Sequence, residues 1–146
     1  GRAGRTDNKG MALIQTYQPD HPVVEAILRG NDDDFWVSEA KQRELACMPP
    51  FGKLVGIIIS SSNLESATFL ANQLKKNTEA LDIIGARVYG PAPAPIARIK
   101  RRHRLRFLIK SPRTPELQDA VRKWVSTVSL KGDLRLSIDI DPQSFY

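Results

Sequence analysis

From Arg102 to Lys110 the sequence alternates. His103, Leu105, Phe107 and Ile109 occupy one set of alternate positions, and Arg102, Arg104 and Arg106 the other. Successive side chains of a strand point to opposite faces, so this segment, continued through Lys110, reads as a strand with an apolar face and a cationic face. A second alternation closes the chain: Leu134, Leu136, Ile138 and Ile140 against Arg135, Ser137, Asp139 and Asp141. Lys53 to Ser60, with Ile57-Ile58-Ile59, reads as a buried strand, and Ala86 to Tyr89 as a further one.

Two helices separate these strands. Ser62 and Glu65 have capping-box spacing, and Leu64, Ala67, Leu70, Ala71 and Leu74 follow at the helical period. Thr114 as cap and Pro115 at the first helical position open a second helix with one apolar stripe: Leu117, Ala120, Val121, Trp124, Val125 and Val128. Gly132 turns the chain into the last strand. The order strand-helix-strand, strand-helix-strand predicts an α+β fold of the split βαβ, ferredoxin-like kind. Two helices cover one face of a four-stranded antiparallel sheet, and the other face stays open. Gly90-Pro91-Ala92-Pro93-Ala94-Pro95 is excluded from helix or central strand, because its prolines remove a backbone donor at every second position.

The amino-terminal third is less regular. Gly1 to Gly10 is polar and reads as loop, and Met11 to Tyr17, with Leu13, Ile14 and Tyr17, as a short strand. Pro22 suits the first turn of a short helix through Val23, Val24, Ile27 and Leu28, stopped by Gly30. Asn31 to Asp34 caps the next helix, which runs to about Ala46 with Phe35, Trp36 and Leu45 as packing residues. Met48-Pro49-Pro50-Phe51-Gly52 marks a domain boundary, giving expected domains 1–48 and 49–146.

With 41% hydrophobic residues in 146, the chain can build a core. Its apolar runs are far too short for a membrane span and no apolar signal segment opens it, so a cytoplasmic location is expected. A single cysteine, Cys47, can form neither an internal disulfide nor a structural zinc site. No phosphate-cradling loop and no metal-spaced cluster occur, and His21 and His103 lie far apart. Asp139 and Asp141, two apart on one strand face, offer either an acid–base pair or a solvated edge beside arginines. The polypeptide alone carries no self-sufficient active site.

Charge is where the sequence is most specific. The net charge is +6, yet residues 83–115 hold nine basic and no acidic residues, so the remainder, with 13 basic and 16 acidic, is net −3. A local cationic block of this kind fits a polyanion. Arg102, Arg104 and Arg106 would stand about 6.5–7 Å apart on one sheet face, close to the separation of neighbouring backbone phosphates. Arg98, Lys100, Arg101 and Lys110 extend the patch, and Arg135 is placed to join it. No aromatic is expected to interleave the arginines on that face, which predicts salt-sensitive backbone contact rather than base stacking.

Three features carry a family resemblance. Gly1-Arg2-Ala3-Gly4-Arg5 resembles the end of helicase motif VI. Met48-Pro49-Pro50-Phe51-Gly52-Lys53-Leu54, then the Gly90–Pro95 run with its basic strand and Ile138-Asp139-Ile140-Asp141-Pro142, resemble the carboxy-terminal region of the primosomal replication-restart helicases. Ile14 to Pro22 fits the same family between them. The resemblance runs along essentially the whole chain in order.

It implies that residues 1–48 end the second motor lobe of an ATP-dependent 3′-to-5′ DNA helicase that restarts stalled forks and assembles the primosome. Residues 49–146 would be a basic domain similar to a small ribosomal-subunit protein. Arg2 and Arg5 match the arginines that face ATP phosphates in the intact motor, a role suited to a fixed cationic fork. ATP, magnesium and a structural zinc would be bound elsewhere in the parent, with none in this fragment. Expected partners are forked or single-stranded DNA, the acidic tail of single-stranded DNA-binding protein, and other primosome proteins. Gln118 matches a family position at the tail pocket, and Arg113 is the nearest arginine, five residues before it. Two other readings stay open: a stand-alone RNA- or ribosome-binding module, and a structural brace for the motor.

Overall fold

The structure, a computed structural model, describes residues 11–30 and 32–142. The chain divides into two compact units, Gly1–Ala40 and Lys41–Tyr146, with the division falling inside a helix.

In the first unit, helix α1 (Pro22–Arg29) starts and stops where the sequence places it. The His21 ring accepts from Val23 N–H at 3.3 Å, capping the helix. Gly30 ends it in the left-handed conformation, φ 65°, donating to Ala26 O at 3.0 Å. The expected strand at Met11–Tyr17 does not form. Its large side chains are exposed, Tyr17 fully so, and no ladder among the described residues includes it. An alternating pattern without a neighbouring strand leaves backbone groups to water. Helix α2 (Asp32–Leu45) is present, but Trp36 and Leu45 are exposed rather than packed, and Trp36 meets Phe35 edge-on at 5.2 Å.

The second unit is the expected ferredoxin-like layer pair. Its strands are β1 (Gly52–Ser61), β2 (Arg87–Ile99), β3 (Arg102–Pro112) and β4 (Arg135–Ile140), in the antiparallel order β2-β3-β1-β4. Helices α3 (Leu64–Lys76) and α5 (Leu117–Ser126), with the short α4 (Glu79–Asp82), supply the cover. Val55, Ile57 and Ile59 of β1 and Phe107 and Ile109 of β3 are buried with Leu70 and Leu74 of α3, Leu81 of α4 and Val121 and Trp124 of α5. Burying each such aliphatic side chain is worth roughly 1.5–3 kcal/mol. At the centre, Trp124 meets Phe107 edge-to-face at 5.5 Å, and its indole N–H donates to Leu74 O at 2.9 Å. One residue thus locks α5 to both α3 and the sheet.

Local details differ from expectation in instructive ways. The α3 cap is Asn63, one residue on from Ser62: its Oδ1 accepts from Glu65 and Ser66 N–H. Leu64 therefore sits half-exposed at the helix start. Helix α5 begins at Leu117 rather than Thr114, and the side chain of its N-cap residue, Glu116, makes no capping bond; Thr114 sits one turn earlier, its hydroxyl donating to the Glu116 carboxylate and accepting from Glu116 N–H at 3.4 Å. Strand β2 continues past Tyr89 through the proline run to Ile99, with register shifts between Tyr89 and Ala92 and between Pro93 and Arg98. It can do so because β2 lies at the sheet edge, where missing donors are tolerated. Gly90 permits the first shift. A Cβ there would lie 2.7 Å from Arg106 O, and its φ of 116° is closed to most side chains.

Candidate nucleic-acid interface

Strands β2 and β3 join through a two-residue turn, Lys100-Arg101, closed by the Ile99–Arg102 pair. Both turn residues hold left-handed backbone, φ 49° and 63°, as a tight hairpin with sheet-compatible twist requires. Arg98, Lys100 and Arg101 are exposed at this tip.

The face of the sheet away from the helices carries the remaining cations in rows set by the register. Arg135, Ser60 and Arg104 are opposite one another on β4, β1 and β3. The next row is Ser137, Ile58, Arg106 and Ala92; the next is Asp139, Gly56, Leu108 and Tyr89. Lys110 opposes Arg87 directly, a like-charge pair that an anion would relieve. These rows surround a cavity of about 270 Å³ whose lining includes Ile58, Tyr89, Pro95, Leu108 and Pro142, with Arg104, Arg106 and Asp139 at its polar points.

Two expectations about this face need correction. First, an aromatic does share it: Tyr89 arrives from the neighbouring strand and is 46% exposed. Alternation along one strand could not reveal a side chain delivered by another. Second, Arg102 does not stand in a row of equivalent arginines. It is three-quarters covered, and its guanidinium donates to Asp133 Oδ2 at 3.1 Å, Asp133 O at 2.5 Å and Ser60 O at 2.8 Å. Arg104 donates to Ile96 O at 3.3 Å, along its own hairpin.

Asp133 is the residue that sequence reasoning missed. Ser61 Oγ and Ser62 N–H each donate to its carboxylate at 2.6 Å. These hydrogen bonds, with the Arg102 charge beside them, hold its carboxyl far below the usual carboxylate range. Asp139 and Asp141 do not pair. Asp141 leaves the strand with φ 51°, and its carboxylate takes the Lys53 ammonium and Leu54 N–H. Burial pushes the Asp141 pKa up, but these donors together outweigh it and the net shift is downward. Asp139 stays on the open face, in the cavity.

Arg113 and Gln118 are both exposed near the start of α5. Arg113 donates to Pro50 O at 3.2 Å. Gln118 lies in the first turn, beside backbone N–H groups that the N-cap side chain, Glu116, does not cap. Arg2 and Arg5 lie outside the described residues. Among the described residues no group of three His, Cys, Asp or Glu side chains could hold a metal ion. No helix there is long and apolar enough to cross a membrane.

A family model described as the primosomal protein N C-terminal domain matches residues 44–143. The replication restart protein PriA of Rickettsia felis is 33% identical over 146 residues, which is 100% of this chain and 22% of that protein. That of Treponema pallidum is 31% identical over 97% of the chain and 22% of its own length. That of Bacillus subtilis is 28% identical over 97% of the chain and 18% of its own length. The chain thus spans about a fifth of the length of these relatives.

Proposed function

This chain belongs to the primosomal protein N C-terminal domain family, and on that premise we propose that it is the carboxy-terminal part of a replication-restart helicase. The parent would be an ATP-dependent 3′-to-5′ DNA helicase acting at stalled forks in the cytoplasm. Its ATP, magnesium and structural zinc would be held by other parts of that protein, with Arg2 and Arg5 completing the nucleotide site. Residues 1–48 would close the motor lobe, and residues 49–146 would form the accessory domain.

The accessory domain's own work is to hold the DNA backbone at the fork. The observation that carries this reading is the continuity of positive charge from the hairpin tip, Arg98, Lys100 and Arg101, onto the open face at Arg104 and Arg106, with Lys110 beyond. Arg102 orients that surface through Asp133 instead of contacting DNA. Neutralising phosphates with such residues releases counterions, so affinity should fall steeply with salt. The uncapped start of α5 at Gln118, near Arg113, suits the carboxylates of an acidic tail such as that of single-stranded DNA-binding protein. Other primosome proteins would be recruited to the same complex.

Fluorescence anisotropy of this chain with labelled fork, single-stranded DNA and an acidic tail peptide, titrated against salt, tests both parts. DNA affinity should drop at least tenfold between 50 and 200 mM salt. Gln118→Ala should weaken the peptide and leave DNA untouched. Salt-independent DNA binding, or none at 50 mM salt, would sink the backbone reading.

A further inference from the structure

The open face offers more than a row of charges. Its cavity, about 270 Å³, lies just under the ~300–1,000 Å³ of drug-sized pockets, which suits one small ring system. Gly56 leaves its floor bare: on this face of the strand no side chain stands between Ile58 and Leu54, and the nearest atoms to a Cβ there would be Pro142 Cγ at 3.8 Å and Asp139 O at 3.9 Å. Tyr89 supplies an aromatic surface on one side, Ile58, Leu108 and Pro142 apolar walls, and Asp139 a carboxylate acceptor. Arg104 and Arg106 flank the opening at the two-residue strand spacing.

We propose that this cavity is a pocket for a single unpaired nucleobase bearing an exocyclic amino group, its flanking phosphates carried by Arg104 and Arg106. The proposal deepens, and rests on, the reading that this domain binds DNA. Stacking on Tyr89 uses the π-face that every base presents. Asp139 makes the choice among bases, because an ionised carboxylate accepts hydrogen bonds and donates none. Cytosine N4–H₂ meets it, whereas the thymine O4 at the same position is repelled. The same carboxylate opposes an acidic peptide, which is why a base rather than a peptide is the favoured occupant. A base in a duplex is stacked and paired on both sides, so the pocket selects single strands, frayed ends or the junction of a fork.

The test is anisotropy of the full chain with 15-nucleotide oligo(dC) and oligo(dT) at pH 7.5 and low salt, with an acidic peptide as a third probe. Wild type should prefer oligo(dC) about fivefold or more. Asp139→Ala removes a negative charge and should raise affinity for both strands, but the ratio should fall to about 1. Tyr89→Leu should weaken both strands severalfold. Gly56→Val keeps ordinary strand backbone and adds a β-favouring side chain, so a folded variant, checked by circular dichroism, should lose the preference while retaining salt-dependent binding. Equal affinity of wild type for the two strands, unmoved by Tyr89→Leu and Gly56→Val, overturns the pocket and leaves backbone binding intact. Failure to bind either strand at any salt overturns the DNA reading and the pocket together. Loss of peptide but not DNA binding in Gly56→Val overturns it in favour of a peptide groove.

Discussion

Arg102 holds Asp133 by side chain and backbone at once, Nη1 3.1 Å from the carboxylate and Nη2 2.5 Å from the carbonyl. The contact joins the start of β3 to the approach to β4, and Asp133 in turn binds the end of β1 and the entry to α3 through Ser61 and Ser62. Arg102→Ala should lower the thermal midpoint by several degrees, whereas Arg101→Ala at the exposed tip should leave it within about a degree. Thermal circular dichroism on the two variants distinguishes them. A variant lacking Arg102, Arg104 and Arg106 together would confound unfolding with lost DNA contact.

The same cluster gives the domain an acid-sensitive seam. The folded Asp133 carboxyl is held below the unfolded value by Ser61, Ser62 and Arg102, and Asp141 is also lowered. A depressed carboxyl contributes stability that is fully present above its unfolded pKa of about 3.9 and is lost as pH falls through that value toward the folded one. The urea midpoint should therefore be flat from pH 7 to about 5 and decline progressively below about 4. Asp133→Asn should start lower at pH 7 and lose less on acidification; an unchanged pH profile in that variant would remove Asp133 from the account.

At the hairpin tip the readout is the salt slope. Single-strand binding loses about 0.7 in slope per phosphate contact removed, so replacing Arg98, Lys100 and Arg101 with alanine should flatten log Kd against log salt by up to about 2. The circular dichroism spectrum should not change, because all three side chains are exposed.

Gly90 should be intolerant of any side chain. Its φ of 116° and the 2.7 Å approach of a Cβ to Arg106 O both oppose alanine. The backbone conformation alone costs about 1–3 kcal/mol, so Gly90→Ala should be far less stable than Gly56→Val in urea denaturation.

Trp124→Phe isolates one hydrogen bond in the core. It keeps an aromatic beside Phe107 but leaves the buried Leu74 carbonyl without the indole donor. Leu74 O still accepts from Asn77 N–H at 3.2 Å, so the cost is that of one lost hydrogen bond, about 0.5–1.5 kcal/mol, measurable as a shift in urea midpoint at constant slope.

What the sequence made legible was what depends on one element at a time. The Arg102–Lys110 alternation placed Phe107 and Ile109 in the core, and the α5 stripe placed Leu117, Val121 and Trp124 against them, because periodicity is a property of a single strand or helix. What depended on two elements stayed hidden. Asp133 lies 31 residues from Arg102, and Tyr89 reaches the open face only through the β2–β3 register. Met11–Tyr17 failed in the opposite sense: it has a strand's local pattern and no ladder to join. The α3 cap moved from Ser62 to Asn63 because both are good caps, and Ser62 N–H was already taken by Asp133.

The proline run also bears on how this domain behaves in company. An open sheet has two borders, and a regular exposed border templates the addition of foreign strands. Along β2, Pro91, Pro93 and Pro95 remove donors at alternate positions and two register shifts break the spacing, so an incoming chain finds no continuous ladder to extend. Six residues, Arg135–Ile140, make up the other border before Asp141 turns away. With one sheet face open, the two borders are thus poor templates for an added strand, and the domain's flanks resist edge-to-edge pairing.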